Sequence, residues 1–249
     1  MAPHDTAALL TLGDQAVGVE FGDTVDPVLS GKVLALDAAI LAGVKAGTLG
    51  PGIVETVPTY RSIAVHVDPF VADIDALATA VLEMARSIEP LVAAARRWRV
   101  PVVYGGDYGI DLDATAARLG MSAAELIERH SAPVYRCYMI GFLPGFAYLG
   151  GADPRIAIPR RDSPRLKTPA GTISIGGIQA GIQSVEAPSG WHLLGTTPVR
   201  NFMHGRDPAF LVCAGDEVEF YPIAASEFEG LSRRAAAGEP VAELIPAER

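Results

Sequence analysis

The segment RIAIPRRDSPRLK (155–167) holds Arg155, Arg160, Arg161, Arg165 and Lys167, five of the chain's 20 basic residues, opposed only by Asp162. Guanidinium forks match carboxylate and phosphate oxygens two at a time. Pro159, Pro164 and Pro169 stiffen the segment and lower the entropy lost when something binds it. It reads as an anion site or docking surface, against the plainer alternative of a solvated charged loop. A second segment, GFLPGFAYLGG (141–151), combines glycines with Phe142, Phe146 and Tyr148 and carries no charge. Glycine gives backbone freedom where aromatic rings want burial. It is either a buried turn joining two strands or one wall of a pocket. A third, PAGTISIGGIQAGIQSVEAPSGWH (169–192), sets Gly171 and four further glycines among β-type residues, with Gln179, Gln183 and Trp191. It is either a set of bulged barrel strands or the facing wall of the same cavity. Gln179 can orient an amide or carboxylate. His130 closes a capped helix, where the dipole favours imidazolium, and is a candidate acid or base.

These segments need a scaffold. Ala16–Phe21 reads as a strand. Asp26–Lys45 shows apolar residues at three- and four-residue steps, a helix stopped by Gly47 and Gly50-Pro51-Gly52. Ile53–Pro58 and Ser62–Val67 read as a hairpin, and Asp73 caps a helix expected to reach about Trp98, bent at Pro90. That order, β-α-β-β-α, implies a small α+β domain over residues 1–98. From residue 99 onward the pattern changes. After the strand VPVVYGG, Ser122-x-x-Glu125 opens a short helix over Ala123–His130. Short apolar runs then alternate with Gly and Pro (VYRCYMIGF, TISIGGIQAGI, WHLLGTTP, AFLVCAG, EVEFYPI), which implies a barrel or sandwich over residues 99–249. An Ala/Glu-rich helix is expected from about Ala224.

Net charge is −9, which disfavours nucleic acid and anionic membrane surfaces as partners. No stretch reads as a membrane span or a signal peptide. Cys137 and Cys213 read as buried free thiols, and a cytoplasmic location is expected. There is no P-loop, no dinucleotide fingerprint and no nucleophile elbow. The five histidines lie scattered, so no metal is expected.

PVVYGGDYG, ELIERHSAPVYRCYMIGFLPGFAYLGG, PRLKTPAGTISIGGIQAGI, APSGWHLLGTTP and VPTYRSIAVHVDP together resemble one family. It includes the B-type subunit of 5-oxoprolinase, the sporulation kinase inhibitor KipI and allophanate hydrolase subunit 1, and it forms subdomain C and D of the urea carboxylase carboxyltransferase region. The resemblance implies a small α+β domain followed by a cyclophilin-like β-barrel. It also implies a second, related barrel protein completing a shared site, of the allophanate hydrolase subunit 2 type, equivalent to the C-type subunit of 5-oxoprolinase. A third protein, the A-type subunit of 5-oxoprolinase, would complete an assembly that opens 5-oxoproline to glutamate with ATP, the nucleotide bound mainly outside this chain. Kinase inhibition and carboxyl transfer are the alternative activities. On these stretches His130, Arg165 and Gln179 are the expected catalytic residues. Arg136, Phe142, Pro144, Gly145, Tyr148, Lys167, Gly171 and Trp191 are expected to bind substrate.

Overall fold

The computed structural model describes residues 7–91 and 96–245. The chain divides into two compact units, Met1–Ala93 and Ala94–Arg249. The division falls a few residues before the boundary expected at 98, because Arg97 and Trp98 already belong to the first barrel strand.

The first unit runs β1 (Ala8–Thr11), β2 (Ala16–Glu20), α1 (Pro27–Ala46), β3 (Ile53–Pro58), β4 (Ser62–Val67) and α2 (Ile74–Ser87). The strands form an antiparallel sheet in the order β1-β2-β4-β3. Strand β1 was not foreseen; its four residues are all exposed and show no buried alternation. Helix α1 starts where the Asp26 carboxylate accepts from the N–H groups of Val28 and Leu29, at 2.7 and 3.1 Å, and stops at Gly47 in the left-handed region. Contrary to the sequence reading, α1 is long and apolar enough to cross a membrane, with a mean hydropathy of 1.6. Its Leu29, Val33, Leu36 and Ile40 are instead buried in a core with Val19, Ile63, Val65 and Val81, as in the central helix of a globular unit. Helix α2 ends at Ser87, well short of Trp98. Ile88 is extended there, and Glu89 precedes Pro90, a position that disfavours helix.

The second unit begins with β5 (Arg97–Tyr104), α3 (Leu112–Leu119), α4 (Ala123–Ser131), β6 (Tyr135–Ile140) and β7 (Ala147–Gly150). It continues with β8 (Arg165–Thr168), β9 (Thr172–Gly176), β10 (Gln179–Ile182), β11 (Ala187–Ser189), β12 (His192–Thr196), β13 (Glu217–Pro222), α5 (Ala225–Ala236) and β14 (Glu243–Ile245). The strands run in the order β12-β9-β10-β7-β6-β13-β5, and the ring closes where Gly195 and Thr196 of β12 pair with Tyr104 and Val103 of β5. This is the closed barrel that the glycine-punctuated runs imply. β13 lies parallel to β5, with Glu217 opposite Arg97. β14 pairs with the first half of β5 and was not expected within a helical tail. AFLVCAG is not a strand; Leu211 and Val212 are buried, and its backbone is tied by an isolated Phe202–Phe210 bridge and by the Gly215 N–H donating to the Cys137 carbonyl at 2.8 Å. Cys137 is buried and Cys213 partly so, both as free thiols.

Strand alternation decides which side chains enter the barrel. Ala147, Leu149, Ala180, Ile182, Ile173 and Ile175 face the core. Tyr148, Gly181 and Ser174 share the opposite face, because Gly181 pairs with both Tyr148 and Ser174. The outer face of β7, β10 and β9 is the floor of the site.

Candidate functional site

A cleft of 230 Å³ lies on that outer face, lined by Phe142, Phe146, Tyr148, Arg160, Arg161, Pro164, Pro188, Ser189, Gly190 and Trp191. Its rings form one cluster. Phe146 lies 4.6 Å from Tyr148 and 5.8 Å from Trp191 between centroids, the latter edge-on, and Phe142 meets Phe146 edge-on at 6.0 Å. Such edge contacts suit the ring quadrupoles. The bed exists because the strands beneath lack side chains: a Cβ on Gly176 would lie 2.8 Å from the Trp191 ring, and one on Gly181 2.9 Å from Phe146. Burial raises the Tyr148 hydroxyl pKa, and the charge of Arg160 opposes the rise.

The basic segment forms a strap along this bed. The Arg161 N–H donates to the Gly190 carbonyl at 2.7 Å, and the Pro159 carbonyl lies 2.9 Å from His192 Nε2. Below the strap sits Asp111, with only 5% of its surface exposed. It accepts two bonds from Arg165, at 2.8 and 2.6 Å, one from the Leu193 N–H at 2.8 Å and a longer one from Arg161 at 3.4 Å. A buried carboxylate needs such partners. Arg165, expected as a catalytic cation, therefore anchors the strap to the barrel. Arg160 places its guanidinium carbon 5.5 Å from the Trp191 centroid.

The loop carrying Phe142 is pinned from behind. The Leu143 N–H donates to the Gly141 carbonyl at 2.7 Å, a γ-turn, and Phe142 at its centre has φ 65°. That conformation is strained for an aromatic residue, yet the Phe142 side chain is 63% exposed at the mouth of the cleft. Gly145 has φ 76°, and a Cβ there would lie 2.6 Å from Phe202 Cβ. Its carbonyl accepts from Asn201 Nδ2 at 2.8 Å, and the Pro144 carbonyl accepts from the Ser184 hydroxyl. Pro144 and Gly145 thus shape the loop from outside the cleft.

The structure brings Phe142, Tyr148 and Trp191 together and places the other expected residues elsewhere. His130, expected as an acid or base, is fully buried, stacked on Phe220 and in hydrogen-bond contact with the Tyr104 hydroxyl at 2.8 Å. Burial lowers its pKa to about 3. It is a neutral core side chain, out of reach of any substrate. Gln179 opens β10 at the hairpin opposite Gly176, outside the cleft lining. Its neighbour Gln183 is buried and bonded to Thr168. Arg136 lies on β6 beside Tyr138, with its guanidinium carbon 6.0 Å from that ring. Lys167 is exposed and paired with Glu186 at 2.9 Å. Gly171 makes a turn against the Thr197 carbonyl and lines a different depression. The set of expected site residues omitted Phe146, Arg160 and Asp111. Phe146 was visible in the same glycine-aromatic run, and Arg160 in the basic run. Asp111 carries no local sequence signal for the site; it stands at the N-cap position of α3, but its side chain makes no cap bond.

The architecture is that of a two-unit α+β chain ending in a closed barrel, with a small aromatic cleft on the barrel's outer face. Residues 7–212 match the family described as carboxyltransferase domain, subdomain C and D, and the chain belongs to that family. It is 34% identical over 228 residues to the B-type subunit of 5-oxoprolinase from Bacillus subtilis (strain 168), covering 87% of this chain and 93% of the relative. It resembles the crystal structure of TTHA0988 with TM-score 0.73 and 31% identity, over 85% of this chain and 40% of that one, so it spans about two-fifths of that protein's length. The urea amidolyase of K. lactis shares the fold, with TM-score 0.80 and 19% identity over 98% of this chain and 16% of that one.

Proposed function

We propose that this chain is the B-type subunit of an ATP-dependent 5-oxoprolinase and is inactive alone. The observation that carries the reading is its similarity to a B-type subunit along 93% of that relative's length. Overall, 5-oxoproline, ATP and two waters give glutamate, ADP and phosphate. One water adds across the lactam C–N bond and the other across the phosphoanhydride.

The cleft supports the division of labour. An aromatic bed takes the methylene face of a small ring, and the strap brings positive charge to its edge. Among the described residues lining it there is no nucleophile paired with a base; the Ser189 hydroxyl accepts from the Trp191 N–H at 3.1 Å. Groups that attack the amide must then come from a second, related barrel protein, the C-type subunit, with an A-type subunit as the third component. The cleft does not fit a whole nucleotide, since 230 Å³ falls below the roughly 300–1,000 Å³ of drug-sized ligand pockets. Consistent with the family resemblance, ATP is proposed to bind mainly on the partner subunits rather than in this cleft.

The test is reconstitution. The chain is purified alone and with its candidate partners, and glutamate and phosphate release are measured with 5-oxoproline and ATP. Release that requires all components is the expected result. Equal release without this chain, or none from any combination, would refute the reading.

A further inference from the structure

Four of the five strap-region cations have carboxylate partners. Arg155 pairs with Asp153, Arg161 and Arg165 with Asp111, and Lys167 with Glu186. Among the described residues, Arg160 is the exception: its contact is the face of Trp191. The backbone is fixed on both sides of it, through the Pro159 carbonyl and the Arg161 N–H. A guanidinium placed over a ring has N–H groups left to offer a planar anion, and the fixed backbone on either side lowers the entropy lost on binding.

Resting on the proposed oxoprolinase reading, we infer that Arg160 is the cation that receives the substrate's carboxylate, with the ring of the substrate lying against Trp191 and Tyr148. Asp111 is a positioning residue. It touches no ligand, but by fixing Arg161 and Arg165 it sets where the strap carries Arg160. The ligand class is a small cyclic amide bearing a carboxylate, and the acid group, not the amide, is what this chain reads.

In the reconstituted assembly, Arg160→Gln should raise the KM for 5-oxoproline about tenfold or more, the loss expected for a charge-assisted hydrogen bond, with the KM for ATP unchanged. Arg160→Lys should recover part of that loss, because it restores charge but not the fork. A KM for 5-oxoproline within about threefold of wild type, or a rise in the ATP KM instead, would overturn the assignment while leaving the oxoprolinase reading intact. If no assembly turns over 5-oxoproline, that reading fails, and binding to the full chain decides the inference by itself. Trp191 fluorescence, in a Trp98→Phe background, is titrated with 5-oxoproline and with 2-pyrrolidinone, the same lactam without the acid. Preference for the acid that Arg160→Gln abolishes sustains the inference; equal response to both probes, or a preference that survives Arg160→Gln, overturns it. For Asp111→Asn, a folded protein with the same KM defect supports positioning, and a wild-type KM removes that role. If the variant does not fold, Arg165→Lys supplies the same comparison.

Discussion

Substitution of Gly145 separates two physical costs that usually arrive together. Gly145 and Gly177 both have positive φ, at 76° and 65°. An added methyl at Gly177 would meet nothing within 4 Å, whereas at Gly145 it would lie 2.6 Å from Phe202 Cβ and 3.1 Å from the Phe202 backbone nitrogen. Both alanine variants carry the backbone cost of about 1 kcal/mol for an L-residue in the left-handed region. The Gly145 variant adds overpacking against atoms that cannot rotate away, about 1–3 kcal/mol. Gly145→Ala should therefore destabilise by about 2–4 kcal/mol and Gly177→Ala by about 1. The assay is urea unfolding followed by tryptophan fluorescence. The chain has two tryptophans, Trp98 and Trp191, both in the second unit, so the signal reports the barrel without the first unit. Equal losses for the two variants would show that Phe202 yields freely, and the pinned-loop account would fail. The same displacement should reach the cleft, since Gly145 adjoins Phe146, and Gly145→Ala should weaken ligand binding while Gly177→Ala does not.

Phe142→Gly should leave the barrel as stable or slightly more so, by up to about 1 kcal/mol, because glycine relieves the γ-turn strain. It should also lower the activity of the assembly by removing a ring at the cleft mouth; a marked loss of stability on urea unfolding would contradict this. His130 gives a pH signature. Its folded pKa of about 3 lies below the unfolded value, so the unfolded chain binds the extra proton as pH falls from about 6.5. Stability is then full above that pH and declines by about 1.4 kcal/mol per unit as pH drops toward 3. His130→Phe, which keeps the stack on Phe220 but leaves the Tyr104 hydroxyl without its partner, should lower stability at pH 7 and flatten the change between pH 7 and 5. An unchanged slope in denaturation curves would refute the assignment.

Periodicity and capping made the helices of the first unit legible. Asp26 and Gly47 bound α1 because one carboxylate and one left-handed residue satisfy its ends. The barrel was legible as alternating runs, but its closure was not, since pairing of β12 with β5 depends on contacts about ninety residues apart in the sequence. In the site, types were readable and directions were not. Of the strap's five cations the sequence reading selects Arg165 and Lys167 for the site, and no local pattern reveals the Asp111 that ties Arg165 to the barrel. His130, at the end of a capped helix, reads locally as a candidate acid or base. Only the packing of α4 against the barrel, with Phe220 of β13 over the imidazole, makes it inert.

The parallel pairing of β5 with β13 joins segments 120 residues apart, Arg97 to Glu217. During synthesis the earlier strands must wait with one ring position vacant until β13 has left the ribosome. The N-terminal unit faces no such delay and can consolidate while the rest is still being translated. A nascent chain halted before Glu217 should therefore present a finished first unit and an open remainder, and the emergence of β13 becomes the event that commits the barrel.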